Sequence, residues 1–184
     1  ANDPNIDFTT TDENGNSPIQ TAIASNNIDT IKIIVDRLTT EASKDKGYTS
    51  KLINQQSTGD NTMLHVAIDA AKDPTSPKAA DALAVVTALA KDPNIDFTKT
   101  DKSGNNIIQA AVASGNPKIL ATLLSKDNQN LTKVPNSYPK RHYVYLPINQ
   151  PGKDNKTPLH MAVDEASKAA VEVAKAHEND PDRD

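Results

Sequence analysis

The residues of this 184-residue chain best suited to acid–base or metal chemistry are four histidines, His65, His142, His160 and His177, and the carboxylates Asp12, Glu13, Asp60 and Asp101. Metal binding needs imidazoles that converge, as when His-Glu-x-x-His sets two rings on one helical face, and the chain has no such spacing. The carboxylates fall in turns rich in Gly, Asn and Asp, where a short side chain caps nearby backbone N–H groups. The segment DENGN at 12–16 begins like a calcium loop but lacks the later ligands and the closing Glu. Cysteine is absent, which excludes thiol nucleophiles, disulfides and Cys-based zinc sites. Neither glycine-rich phosphate motif occurs, and glycine totals six. Asn130-Leu131-Thr132 fits a glycosylation sequon, which carries little weight without a secretory signal. No catalytic residue, metal or cofactor is therefore expected.

Composition narrows the class further. With 36% hydrophobic and 24% charged residues the chain reads as soluble and folded. Its longest apolar stretch, 79–90, is interrupted by Asp81 and is too short to span a bilayer, so no membrane insertion is expected. A net charge of −4 gives no overall attraction to nucleic acid. Only six residues are aromatic, so a core organised around large rings is not expected and most of the buried area is expected to come from Ala, Ile, Leu and Val. The start, Ala1-Asn2-Asp3-Pro4, has no initiator Met, basic region or apolar signal, and the chain is expected to be excised from a longer one. A cytoplasmic monomer is expected.

The elements that must position these residues are set by internal repetition. Residues 3–27 recur at 92–116 with 17 of 25 positions identical, and 53–71 recur at 148–166. In register, Ile19, Leu64, Ile108 and Leu159 open four units at spacings of 45, 44 and 51. Each unit places apolar or small residues at i, i+3 and i+4, the narrow face of a short helix: Ile19/Ala22/Ile23, Leu64/Ala67/Ile68, Ile108/Ala111/Val112 and Leu159/Ala162/Val163. Ser17, Thr62 and Thr157 stand at the N-cap, and Pro18 and Pro158 at the first helical position. A second stripe follows in three units: Ile31/Ile34/Val35/Leu38, Leu83/Val86/Leu89 and Ile119/Leu120/Leu123/Leu124. Turns are expected at DENGN 12–16, STGDN 57–61, DKSGN 101–105 and PGKDN 151–155. Residues 166–178 carry only Val171 and Val173 as a stripe, which suits a capping helix or a cut array.

A turn with Gly, then Thr-x-Leu-His with Ala three residues after the Leu, resembles the ankyrin repeat. Thr62, Leu64, His65 and Ala67 carry the pattern, as do Thr157, Pro158, Leu159, His160 and Ala162. Gln20 and Gln109 replace the histidine in the other two units, and the spacing exceeds the family period of about 33, so extra residues must form loops. The resemblance implies an all-α ankyrin-repeat solenoid: stacked helix-turn-helix units with short β-turn fingers and long inserts. It implies one domain over 1–184 with units of about 12–56, 57–100, 101–150 and 151–179. It also implies structural roles for Thr62, His65, Thr157 and His160, the imidazoles bonding backbone to hold adjacent repeats. By analogy the function is noncatalytic binding of a partner protein through finger tips and the concave helix face.

Three inserts depart from the short repeat. Residues 41–52 allow an extension of the preceding helix, and 73–78 carry two prolines that stiffen a loop between paired helices. The longest, 126–147, holds Tyr138, Tyr143, Tyr145 and four basic residues including Arg141 against the single acid Asp127. Either this basic, aromatic segment contacts a partner, as Tyr and Arg do at interface hot spots, or it folds back over the helices. Four cations are too few for a nucleic-acid track, so nucleic acid is not expected as a partner. The expected contact set is Glu13, Asn14, Asp60, Asn61, Lys102, Ser103, Lys153 and Asp154 at the finger tips, with Tyr138, Arg141, Tyr143 and Tyr145. The competing expectation is a substrate-docking region of a larger enzyme. Lys outnumbers Arg 17 to 3, the bias of an AT-rich genome, and with such repeats this suits a bacterial effector delivered to a host cytosol.

Overall fold

A computed structural model describes residues 7–41, 46–125, 150–152 and 154–164, with 40, 41 and 46–49 described as backbone only. The insert 126–147, Lys153 and the expected capping helix over 166–178 lie outside the described residues. The helices are α1 (Pro18–Ala24), α2 (Ile28–Glu41), α3 (Lys46–Ile53), α4 (Met63–Ala70), α5 (Ala79–Lys91), α6 (Ile107–Ala113) and α7 (Pro117–Leu123). Residues 158–164 are also helical. No strand forms among the described residues; one isolated antiparallel bridge joins Thr100 to Asn106. No described helix is long and apolar enough to cross a membrane.

The helices form two layers. α1, α4 and α6 follow one another in the first, α2, α5 and α7 in the second, and each first-layer helix packs on the second-layer helix that follows it. This is how short amphipathic helices bury a face that none could bury alone. Ile19, Leu64 and Ile108 are fully buried at equivalent positions, and Ala22, Ala67 and Ala111 let neighbouring helices approach. Ile31, Ile34, Val35 and Leu38 on α2 are all buried, as the spacing requires.

Elsewhere the expected stripes shift. On α5 the buried face is Ala82, Val85, Val86, Leu89 and Ala90, while Leu83 is only half-buried, because α5 touches both α2 and α7 as well as α4 and needs a broad face. Val112 and Leu120 are half-buried and Leu124 is exposed. In the fourth unit Leu159 and Val163 are 73% and 57% exposed, against the expectation of a covered face. The core is built mainly from Ala, Ile, Leu and Val, as expected, with Phe97 a single fully buried ring among the described residues. Residues 41–52 do more than lengthen a helix, since α3 is a separate element packed on α2.

Between α4 and α5, Asp73 accepts from the backbone N–H and hydroxyl of Thr75 at 2.9 and 2.7 Å. These bonds hold the Asp73 carboxyl below the usual carboxylate range. Pro74 and Pro77 are exposed in this loop. Lys32 pairs with Asp81, and Lys78 with Asp29, tying α2 to α5 and its leading loop. All four side chains are substantially exposed, so these pairs add little stability.

Candidate functional site

Four turns of one geometry precede α1, α4, α6 and the helical residues 158–164. Each closes with a bond from the first residue's N–H to the fifth residue's carbonyl: Asp12 to Asn16, Ser57 to Asn61, Asp101 to Asn105 and Gly152 to Lys156, at 2.9 to 3.0 Å. Each also bonds the fourth N–H back to the first carbonyl. The fourth residue is left-handed every time: Gly15 at φ 79, Asp60 at 60, Gly104 at 78 and Asn155 at 57. Asp12 and Asp101 further accept from two backbone N–H groups each, so these carboxylates are turn-formers.

This geometry corrects two placements. The fourth turn spans 152–156 and not 151–155, because Pro151 has no N–H with which to close it. In the second turn the outward positions equivalent to Glu13/Asn14 and Lys102/Ser103 are Thr58 and Gly59, while Asp60 and Asn61 occupy the left-handed and closing positions. The signal for Thr58 was the register of the whole turn; the position of its Gly misleads.

Behind each turn lies a capping box. Ser17, Thr62 and Asn106 accept from the backbone three residues on, and the side chains there return a bond to the cap. Gln20 accepts from Ser17 N–H at 2.9 Å, Gln109 from Asn106 N–H at 2.8 Å, and His65 Nδ1 from Thr62 N–H at 3.3 Å. The far end of each side chain bonds backbone at or just before the next turn. Gln20 Nε2 donates to Gln56 O at 3.1 Å; Gln109 Nε2 donates to Gln150 O and Lys156 O at 3.2 and 2.8 Å. His65 Nε2 meets Asn105 O at 3.3 Å. A carbonyl cannot donate, so His65 carries its proton on Nε2 and leaves Nδ1 as acceptor. Burial pushes the ring below the ordinary imidazole value, opposed by the Asn105 carbonyl and by Asp101. In the fourth unit Thr157 and exposed His160 repeat the local pair, 2.7 Å apart. A Cβ at Gly152 would lie 2.8 Å from Gln109 Nε2, so a larger residue there would oblige this amide to shift.

Turn 101–105, α4 and α6 together line a cleft of about 360 Å³. His65 sits at its wall with Asn61 and Asn105; Asp69 and Lys72 stand on one lip and Asp101 and Lys102 on the other. Asp69 bonds Lys72 at 2.9 Å and holds that ammonium above its usual value. A second cleft of about 570 Å³ beside turn 12–16 is lined by Thr10, Asn16, Pro18, Thr21, Ala22 and Ser25 among others. Of the residues expected at a contact surface, Glu13, Asn14, Asp60, Lys102, Ser103 and Asp154 are exposed on the turns, and Asn61 and Lys102 share the first cleft. Tyr138, Arg141, Tyr143, Tyr145 and Lys153 lie outside the described residues. Among the described residues no three His, Asp or Glu side chains gather in a way that would hold a metal ion. No protein-family model matches the chain, and no curated protein matches it.

Proposed function

We propose that the chain is an ankyrin-type module that binds a partner protein across its turns and first-layer helices, without catalysis of its own. The supporting observation is the repeated turn: four copies close through the same two internal backbone bonds, and Glu13, Asn14, Thr58, Lys102, Ser103 and Asp154 are exposed on them, Lys102 at the polar cleft. A rigid scaffold displaying loop side chains is the usual arrangement for recognition. The resemblance to ankyrin repeats rests on Thr62-x-Leu64-His65 and Thr157-Pro158-Leu159-His160 together with the two-layer packing. The insert 126–147 joins this surface in the same reading, through Tyr138, Arg141, Tyr143 and Tyr145.

Photo-crosslinking separates this surface from the opposite layer. A crosslinker at Lys102 on the cleft lip is expected to capture a discrete partner protein, and one at Ala84, exposed on α5, to capture none. Equal capture from both positions, or capture from Ala84 alone, overturns the assignment of the binding face.

A further inference from the structure

Three units join to their neighbours through the third residue of the first-layer helix, and in only one of those joints is that residue titratable. Gln20, His65 and Gln109 each accept from their own cap N–H and reach backbone at or just before the next turn. An amide supplies an acceptor oxygen and a donor nitrogen at any pH. An imidazole supplies both roles only while neutral, because its protonated form has a donor on each nitrogen.

We infer that the joint between the second and third units is acid-sensitive: a proton taken up at His65 Nδ1 removes the acceptor of the Thr62 N–H, the bond that fixes the ring on α4 while its Nε2 holds turn 101–105, whereas the glutamine joints are indifferent to pH. After protonation Nδ1–H and the Thr62 N–H are both donors facing each other. The Thr62 hydroxyl, 2.9 Å from Nδ1, can accept from the ring, but the Thr62 N–H is left without its acceptor. Around the ring the Asn105 carbonyl favours the charge, and few titratable groups do. α1 and α6 carry no titratable residue. From turn 101–105 come Asp101 and Lys102, from turn 57–61 Asp60, and from α4 and its end Asp69 and Lys72, already paired with each other. In the other layer α5 carries Asp81 and Lys91, and α2 carries Asp29, Lys32, Asp36, Arg37 and Glu41, with Asp81 committed to Lys32. Asp101 alone among these favours the imidazolium, and burial of a ring only 5% exposed outweighs it.

The sign follows from burial. The folded ring binds its proton less readily than the unfolded one, so the joint is at full strength above the ordinary imidazole value of about 6.5. It weakens as pH falls from there toward the ring's own lowered value. The test is NMR on the ¹⁵N-labelled chain between pH 7.5 and 5, reading ring nitrogen shifts and exchange protection of the Ser17, Thr62 and Asn106 amides. Thr62 protection is expected to fall by up to about tenfold per pH unit in that window while Ser17 and Asn106 stay level. His65→Gln is expected to make all three level. Level Thr62 protection in the unaltered chain, an equal fall at all three amides, or a pH-dependent fall that persists in His65→Gln overturns the inference. Should His65→Gln not fold, the ring shifts and the three amides of the unaltered chain still decide.

Discussion

The fourth residue of each turn shows what a backbone conformation asks of a side chain. Gly15, Asp60, Gly104 and Asn155 share positive φ, and short polar residues tolerate that region because their side chains bond locally. A Cβ at Gly15 would meet nothing within 4 Å, so the cost of replacing this glycine is backbone strain alone. Gly15→Ala is therefore expected to lose about 1 kcal/mol, and Gly15→Asn less than half of that, as read from urea unfolding midpoints. Equal losses would mean that packing, not φ, sets the requirement. At this scale the sequence was legible where residue type and geometry coincide, as at the caps Ser17 and Thr62 and at Pro18. It was less so at Asn106, whose side chain caps α6 with bonds to Ile108 and Gln109 N–H, or in the second turn, where Gly59 draws the eye and Asp60 takes the left-handed position.

Among the elements, the connection from α5 to turn 101–105 is where local likeness and tertiary context part. Asp7-Phe8-Thr9 and Asp96-Phe97-Thr98 fold alike, the Asp accepting from the Thr N–H at 2.8 and 2.9 Å and from its hydroxyl at 2.6 Å in both. Yet Phe97 is 1% exposed and Phe8 only half-buried. The interior copy has a neighbour to hold it: Asn54 donates to Asn94 O and accepts from Asp96 N–H, both at 2.7 Å. Phe97→Ala is expected to cost about 3–5 kcal/mol through lost burial and a cavity. For Phe8→Ala the loss is expected to be smaller, about 1–2 kcal/mol, since part of that ring is already exposed. Denaturant titration of the two variants compares them, and similar losses would show that burial does not govern the position. Repetition made both phenylalanines visible in the sequence as copies of one position. It could not say which was core, because burial depends on which units stand on either side.

For the whole molecule, stability accumulates between neighbours: α1, α4 and α6 touch in series, as do α2, α5 and α7. Arrays of this kind gain from each interface and little from distant contacts. The two-layer order follows from helical stripes that the sequence shows directly, whereas the breadth of the α5 face and the exposure at 158–164 depend on what packs on either side. Identical repeat positions should then differ in energy according to the neighbours that cover them. Leu64 and Leu159 occupy the same place in Thr-x-Leu-His, but Leu64 is fully buried between layers and Leu159 is 73% exposed. Leu64→Ala is expected to cost about 2–5 kcal/mol, the range for emptying a packed leucine site. Leu159→Ala should stay within about 0.5 kcal/mol, as a surface substitution does. Array proteins need not unfold in one step, so the comparison is best read by hydrogen exchange at α4 and at α6 in the same samples. Leu64→Ala should lower protection at both, since α6 packs on α4, and Leu159→Ala at neither. A comparable loss from Leu159→Ala would show that this side chain is covered in solution, and that the fourth unit shares the interior packing of the second.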